Sequence, residues 1–116
     1  MIIFVGVYLQ GEMLTKKDQY LLMDKIVRAA CEVGELSYPS FIARKKSLKT
    51  NTLRGVTCLI SRYMLIHPNV SALLLCRTRQ NVINCARRYH HYIQAKDAIT
   101  LKYFEDITHK IQIYDE

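Results

Sequence analysis

The stretch Arg77-Thr78-Arg79-Gln80-Asn81-Val82-Ile83-Asn84-Cys85-Ala86-Arg87-Arg88-Tyr89-His90-His91-Tyr92-Ile93 decides how this chain reads. Laid on a helix, Val82, Ala86, Tyr89 and Ile93 stack on one side, and Ile83 and Cys85 flank that stripe. The opposite side carries Gln80, Asn84, Arg87, Arg88 and His91, with Asn81 at its edge. One face is built to pack on a core, and the other presents amides and guanidinium groups. Those side chains hydrogen-bond base edges and grip phosphates. The expectation is the recognition helix of a helix-turn-helix, set against the plainer alternative of a solvated helix face.

The charge map separates the two. The chain has 116 residues and a net charge of +7. No Asp or Glu lies between Leu36 and Lys96, where an even spread would place about five. That window holds Arg44, Lys45, Lys46, Lys49, Arg54, Arg62, Arg77, Arg79, Arg87 and Arg88. Folded domains normally mix signs on their surface. A single-sign block with helical periodicity points to a polyanion, with nucleic acid first and an anionic membrane surface second.

Length and composition fit one folded domain: half of the residues are hydrophobic and 23% are charged, unlike a disordered chain. The four cysteines, Cys31, Cys58, Cys76 and Cys85, form no CxxC pair. They are expected as reduced thiols of a cytoplasmic protein, nucleoid-associated or phage-encoded. With His67, His90 and His91 they lack the spacing of a zinc site, so no metal or cofactor is expected. The acid-free middle leaves no carboxylate pair, and the histidines have no evident nucleophile, so the chain is not expected to be an enzyme or to take a small-molecule substrate.

In chain order, Ile2 to Leu9 is β-branched and aromatic. It is too short for a membrane span and lacks the features of a signal peptide. It is expected as a short strand or extended arm, which could pair with a second copy in a homodimer. A helix is expected from Lys17 or Asp18 to about Val33, stopped by Gly34. Ser37-Tyr38-Pro39 opens a short helical turn with Phe41 and Ile42 inward. The basic loop Arg44-Lys45-Lys46-Ser47-Leu48-Lys49 follows. A helix capped by Thr50, Asn51 or Thr52 is expected to reach Leu65, with Val56, Leu59, Ile60, Tyr63 and Met64 buried and Arg54, Ser61 and Arg62 wet. Pro68 starts a short apolar helix over Val70 to Leu75, Cys76-Arg77-Thr78 is the turn, and Thr78 caps the next helix. Tyr103, Phe104, Ile107 and Ile111 predict a last amphipathic helix from about Ile99 to Ile113. The expected fold is all-α: a small helical bundle containing a helix-turn-helix, with a short N-terminal extended arm. The expected divisions are an arm (1–16), a helix-turn-helix domain (17–96) and a C-terminal packing or dimerisation helix (97–116).

From about position 18 to 93 the pattern resembles the C-terminal DNA-binding domain of DnaA-type replication initiators, a Trp-repressor-like helix-turn-helix. The shared features, in order, are the basic loop Arg44-Lys45-Lys46-Ser47, a long helix with Arg54 near its start, and His67-Pro68-Asn69-Val70. The recognition segment then begins at Arg77 and runs through Val82 to Arg87-Arg88-Tyr89. The family has two glycines where this chain has Leu75-Cys76, and an Asp-His-Thr-Thr run where it has Thr78-Arg79-Gln80-Asn81. The resemblance therefore implies the family's docking mode rather than its target sequence. It implies Thr78, Arg79, Gln80 and Asn81 at base edges, and Arg77, Asn84, Arg87 and Arg88 at phosphates. Lys45 and Lys46 would reach the neighbouring minor groove, with Arg44, Lys49 and Arg54 along the backbone. No Walker A segment is present, so no ATPase activity is expected. The expected partner is double-stranded DNA, in replication or transcription control. The competing expectation is a protein-interaction module that docks its basic face on an acidic replication or transcription partner.

Overall fold

The computed structural model describes residues 14–44 and 47–114. Residues 1–13 of the expected N-terminal arm, Lys45 and Lys46 of the basic loop, and residues 115–116 lie outside the described residues. Within them the chain is all-α, with six helices: α1 (Lys16–Gly34), α2 (Tyr38–Ile42), α3 (Leu48–Tyr63), α4 (Pro68–Leu75), α5 (Arg79–Gln94) and α6 (Ala98–Tyr114).

Helix α3 is the axis of the bundle, and α1, α2, α4, α5 and α6 all pack against it. Its sequence suits that position. Leu53, Val56, Cys58, Leu59 and Ile60 are buried together with Thr52, Thr57 and Ser61. The hydroxyls are satisfied within the helix: Thr52 Oγ1 donates to the Leu48 carbonyl at 2.7 Å, Thr57 to Leu53 at 2.7 Å and Ser61 to Cys58 at 2.7 Å. Back-bonding of this kind lets small polar residues sit in a dry interior. Ser61 is thus buried rather than wet, because α3 is covered on more than one side. The helix also begins earlier than expected. Ser47 is the cap, its Oγ accepting from the Thr50 amide, so Lys49 stands in the first turn and not in a loop.

Thr15 caps α1 by accepting from the Asp18 amide at 3.1 Å. Leu22, Met23, Ile26, Val27, Ala29 and Ala30 form its buried face. The residue that ends α1 in the left-handed region is Glu35, with φ 54°, one position beyond the expected glycine stop. Gly34 remains helical for a packing reason: a Cβ there would collide with Leu53. Helix α6 lies on α1 and α3 and contributes Phe104, Ile107 and Ile111 to the core. The C-terminal helix therefore shares the core of the preceding helices.

Helix α2 is a single capped turn, with Ser37 Oγ accepting from the Ser40 amide and Phe41 fully buried. His67 caps α4 through Nδ1, and Pro68 occupies the first helical position, as proline's fixed φ favours. Cys76 closes α4 in the left-handed region, with φ 54°. Two residues later Thr78 Oγ1 accepts from the Asn81 amide at 3.1 Å and starts α5. A short helix, a turn and a longer helix follow one another in the order read from the sequence, with the turn and the cap at the expected residues.

Candidate nucleic-acid interface

Helix α5 divides into two faces as its sequence requires. Val82, Ala86 and Tyr89 are buried and Ile93 is half-buried against the bundle. Arg79, Gln80, Asn81, Asn84, Arg87, Arg88 and His91 are exposed. Gln80 Nε2 donates to Asn84 Oδ1 at 2.9 Å, one turn apart, so the two amides hold each other in place. His90 turns inward instead, its Nδ1 sharing a hydrogen bond of 2.7 Å with the Tyr63 hydroxyl. The first turn of α5 carries no acid, and Arg79 stands there beside the positive end of the helix dipole. The first turn of α3 also lacks an acid and carries Lys49. Both placements oppose the helix dipole in the isolated chain and favour an anion nearby.

Two of the expected DNA contacts have another task. Arg54 reaches across to the C terminus of α2, where its guanidinium donates to the carbonyls of Phe41 at 2.8 Å and Ala43 at 3.2 Å, and to Asn51 Oδ1. Arg77 donates to the carbonyls of Ile42 at 3.0 Å and Ala43 at 3.3 Å, and also to those of Leu75 and Cys76. The last carbonyls of a helix have no partner within it. Here two arginines supply one, because α2 is too short to end in a capping motif of its own. Burial lowers the Arg54 pKa, and the neighbouring charge of Arg77 lowers it further. Most of the hydrogen-bond donors of Arg54 and Arg77 thus serve the fold. Their joint effect is positional. They fix the root of the basic loop, at Ala43 and the exposed Arg44, beside the turn that leads into α5.

A groove of ≈ 430 Å³ runs between the N-terminal half of α3 and α5. Arg54, Arg77 and Arg88 border it, along with Asn51, Asn81, Cys85 and the ring of Tyr92. The sequence offered Asn51 as a possible helix cap, not as a residue of this groove. Tyr92 is 41% exposed.

The charge distribution follows the elements. Ion pairs occur on α1, where Asp24 meets Arg28 at 2.9 Å, and between α1 and α6, where Glu32 meets Lys110 at 3.5 Å. Among the described residues, no cation from Arg44 to Lys96 is in an ion pair. The described residues contain no cluster of His, Cys, Asp and Glu able to hold a metal ion, and no helix long and apolar enough to cross a membrane. Comparison with protein-family models, with curated proteins and with solved structures finds no match for this chain.

Proposed function

We propose that this protein binds double-stranded DNA through α4, its turn and α5, as a helix-turn-helix of the DnaA C-terminal type, in replication or transcription control. The observation that carries this reading is the exposed face of α5. Gln80, Asn81, Asn84, Arg87 and Arg88 share it, on a helix whose opposite face is locked into the core. A rigid element presenting amides and cations together is what major-groove readout needs.

In this scheme the N-terminal end of α5 enters the major groove. Arg79 pairs with guanine O6 and N7, and Gln80 or Asn81 with adenine N6 and N7. Thr78, the cap, lies at the same end. Asn84, Arg87 and Arg88, further along, meet phosphates. Arg44, Lys45, Lys46 and Lys49 supply further charge from the basic loop and the start of α3. Arg54 and Arg77 act mainly by holding that loop in position. No catalytic step, cofactor or nucleotide hydrolysis belongs to the scheme.

The test is selection from random duplexes by gel shift at two salt concentrations. With about six phosphates neutralised, the log–log salt slope should be about −5. Recovery of an enriched sequence with that slope supports the reading. Failure to bind duplex, or binding indifferent to salt, overturns it. Capture of an acidic polypeptide in place of duplex would assign the same face to a protein partner.

A further inference from the structure

Arg54 and Arg77 meet over a single oxygen. The Ala43 carbonyl accepts from Arg54 Nη1 at 3.2 Å and from Arg77 Nη2 at 3.3 Å. Burial, and then the charge of Arg77, lower the Arg54 pKa, so the pair repels. Neither arginine has a carboxylate partner among the described residues, and no Asp or Glu lies between Leu36 and Lys96. A guanidinium carries five N–H donors. Existing bonds occupy Nη1 of both residues and one hydrogen of each Nη2. The Nε–H and the second Nη2–H of each have no acceptor among the described residues.

Both side chains line the groove of ≈ 430 Å³ between α3 and α5, and the exposed Arg88 lines it too. No acid borders it. Its walls also hold apolar surface left in water. Leu48 is 75% exposed, and the exposed ring of Tyr92 is braced edge-on against Tyr89, with centroids 5.0 Å apart. Small-ligand pockets measure roughly 300–1,000 Å³, so the groove is large enough for one molecule.

We propose that this groove binds a phosphate monoester carried on a planar ring, the chemistry of a nucleoside monophosphate. Arg54, Arg77 and Arg88 take the phosphate. A monoester is close to a dianion at neutral pH and presents three acceptor oxygens, so it suits three guanidinium groups better than a carboxylate does. The ring lies against Tyr92 and Leu48, where stacking on an aromatic accepts any base. Asn51 and Asn81 offer amides to its edge. Bound there, the ligand spans α3 and α5 and supplies the anion that the repelling pair lacks. It is a ligand, not a substrate. The inference does not depend on DNA binding.

The experiment titrates the full chain with adenosine monophosphate, adenosine and inorganic phosphate at physiological salt, by calorimetry and amide NMR. The expected result is saturable one-site binding of the monophosphate, with the other two weaker by about tenfold or more. Amide shifts should centre on Leu48, Asn51, Asn81 and Tyr92. Arg54 and Arg77 also hold the fold, so the exposed residues carry the test. Arg88→Ala should weaken the monophosphate about tenfold with the melting temperature unchanged. Tyr92→Ala should bring it down to the level of inorganic phosphate. Arg62→Ala removes an exposed cation outside the groove and should change neither. If the paired arginines serve the fold alone, no ligand saturates, and that result overturns the proposal. So does equal binding of all three ligands, or binding that survives both Arg88→Ala and Tyr92→Ala. Duplex binding without nucleotide binding sinks this inference alone, and the reverse result sinks only the DNA reading.

Discussion

The ring of Tyr89 lies over Gly55, in the space that a β-carbon at residue 55 would need. This contact sets how closely α5 approaches α3, and so how the outer face of α5 is carried. Gly55→Ala must displace the ring. Overpacking of this kind costs about 1–3 kcal/mol, and the better helix propensity of alanine returns about 1 kcal/mol. The expected result is a lower urea midpoint with an unchanged slope. An equal or higher midpoint would mean that the ring moves aside freely.

Arg54 and Arg88 should behave differently although both border the same groove. Arg54→Met leaves the Phe41 and Ala43 carbonyls short of a donor, and loss of such charged hydrogen bonds costs about 1.5–3 kcal/mol. Arg88 is exposed, so Arg88→Ala should change stability by no more than about 0.5 kcal/mol. Thermal unfolding of the two variants measures the contrast. Limited proteolysis should also show faster cutting at Arg44 in Arg54→Met, because the root of the loop is released.

Cys76 adopts a φ of 54°, which costs any residue with a β-carbon more than glycine. Its side chain is exposed and makes a weak contact of 3.9 Å with the Tyr38 hydroxyl. Cys76→Gly should therefore stabilise the fold by about 0.5–1 kcal/mol. A higher melting temperature with unchanged helical circular dichroism is the expected outcome. A lower one would show that the Tyr38 contact outweighs backbone strain.

Asp97 caps α6, its Oδ2 accepting from the Thr100 hydroxyl at 2.6 Å and the Thr100 amide at 3.0 Å. The hydroxyl bond first, and then the amide bond, hold its carboxyl below the usual carboxylate range. Glu32 is lowered too, chiefly by the hydrogen bond from Tyr114 and also by Lys110. A group whose folded pKa is depressed stabilises the fold fully above its unfolded value, and that contribution is lost as pH falls through the folded value. Unfolding midpoints should therefore drop as the pH is taken below the ordinary carboxylate range. The drop should be smaller in Asp97→Asn, which has already lost the charged cap. An identical pH profile in the two proteins would remove Asp97 from the account.

If α5 reads DNA, Gln80 and Arg88 should separate specificity from affinity. Gln80→Ala should relax preference at one base position, with total affinity for random duplex little changed. Arg88→Ala should weaken all duplexes alike and make the salt slope shallower by about one. Duplex binding unaltered by both substitutions would mean that another surface makes the contact.

Much of the architecture was legible in the residues. Spacing alone separated the buried Val82, Ala86 and Tyr89 from the exposed Gln80, Asn84 and Arg87. Thr78 as cap, Pro68 as a helix start and Phe104, Ile107 and Ile111 as an inner stripe were legible for the same reason: each is a local rule acting within one or two turns. The limits of α3 were not. Periodicity finds a helix with one wet side, whereas the centre of α3 is covered nearly all round, and Thr52, Thr57 and Ser61 are hidden there by bonding to their own helix. The cap at Ser47 was masked by the basic residues on either side, which read as a loop.

The sequence by itself determined the helices, the two faces of α5 and the absence of acids from Leu36 to Lys96, since these depend only on which residue stands where. Only the tertiary structure decided which cations remain outward. Nothing in their own segments sets Arg54 and Arg77 apart from the outward Arg87 and Arg88, yet they turn to the open carbonyls of α2. That choice depends on a helix end brought near by folding, which no pattern within a single segment encodes. The seat of Tyr89 on Gly55 has the same origin, a crossing of two helices that are distant in the chain and close in space.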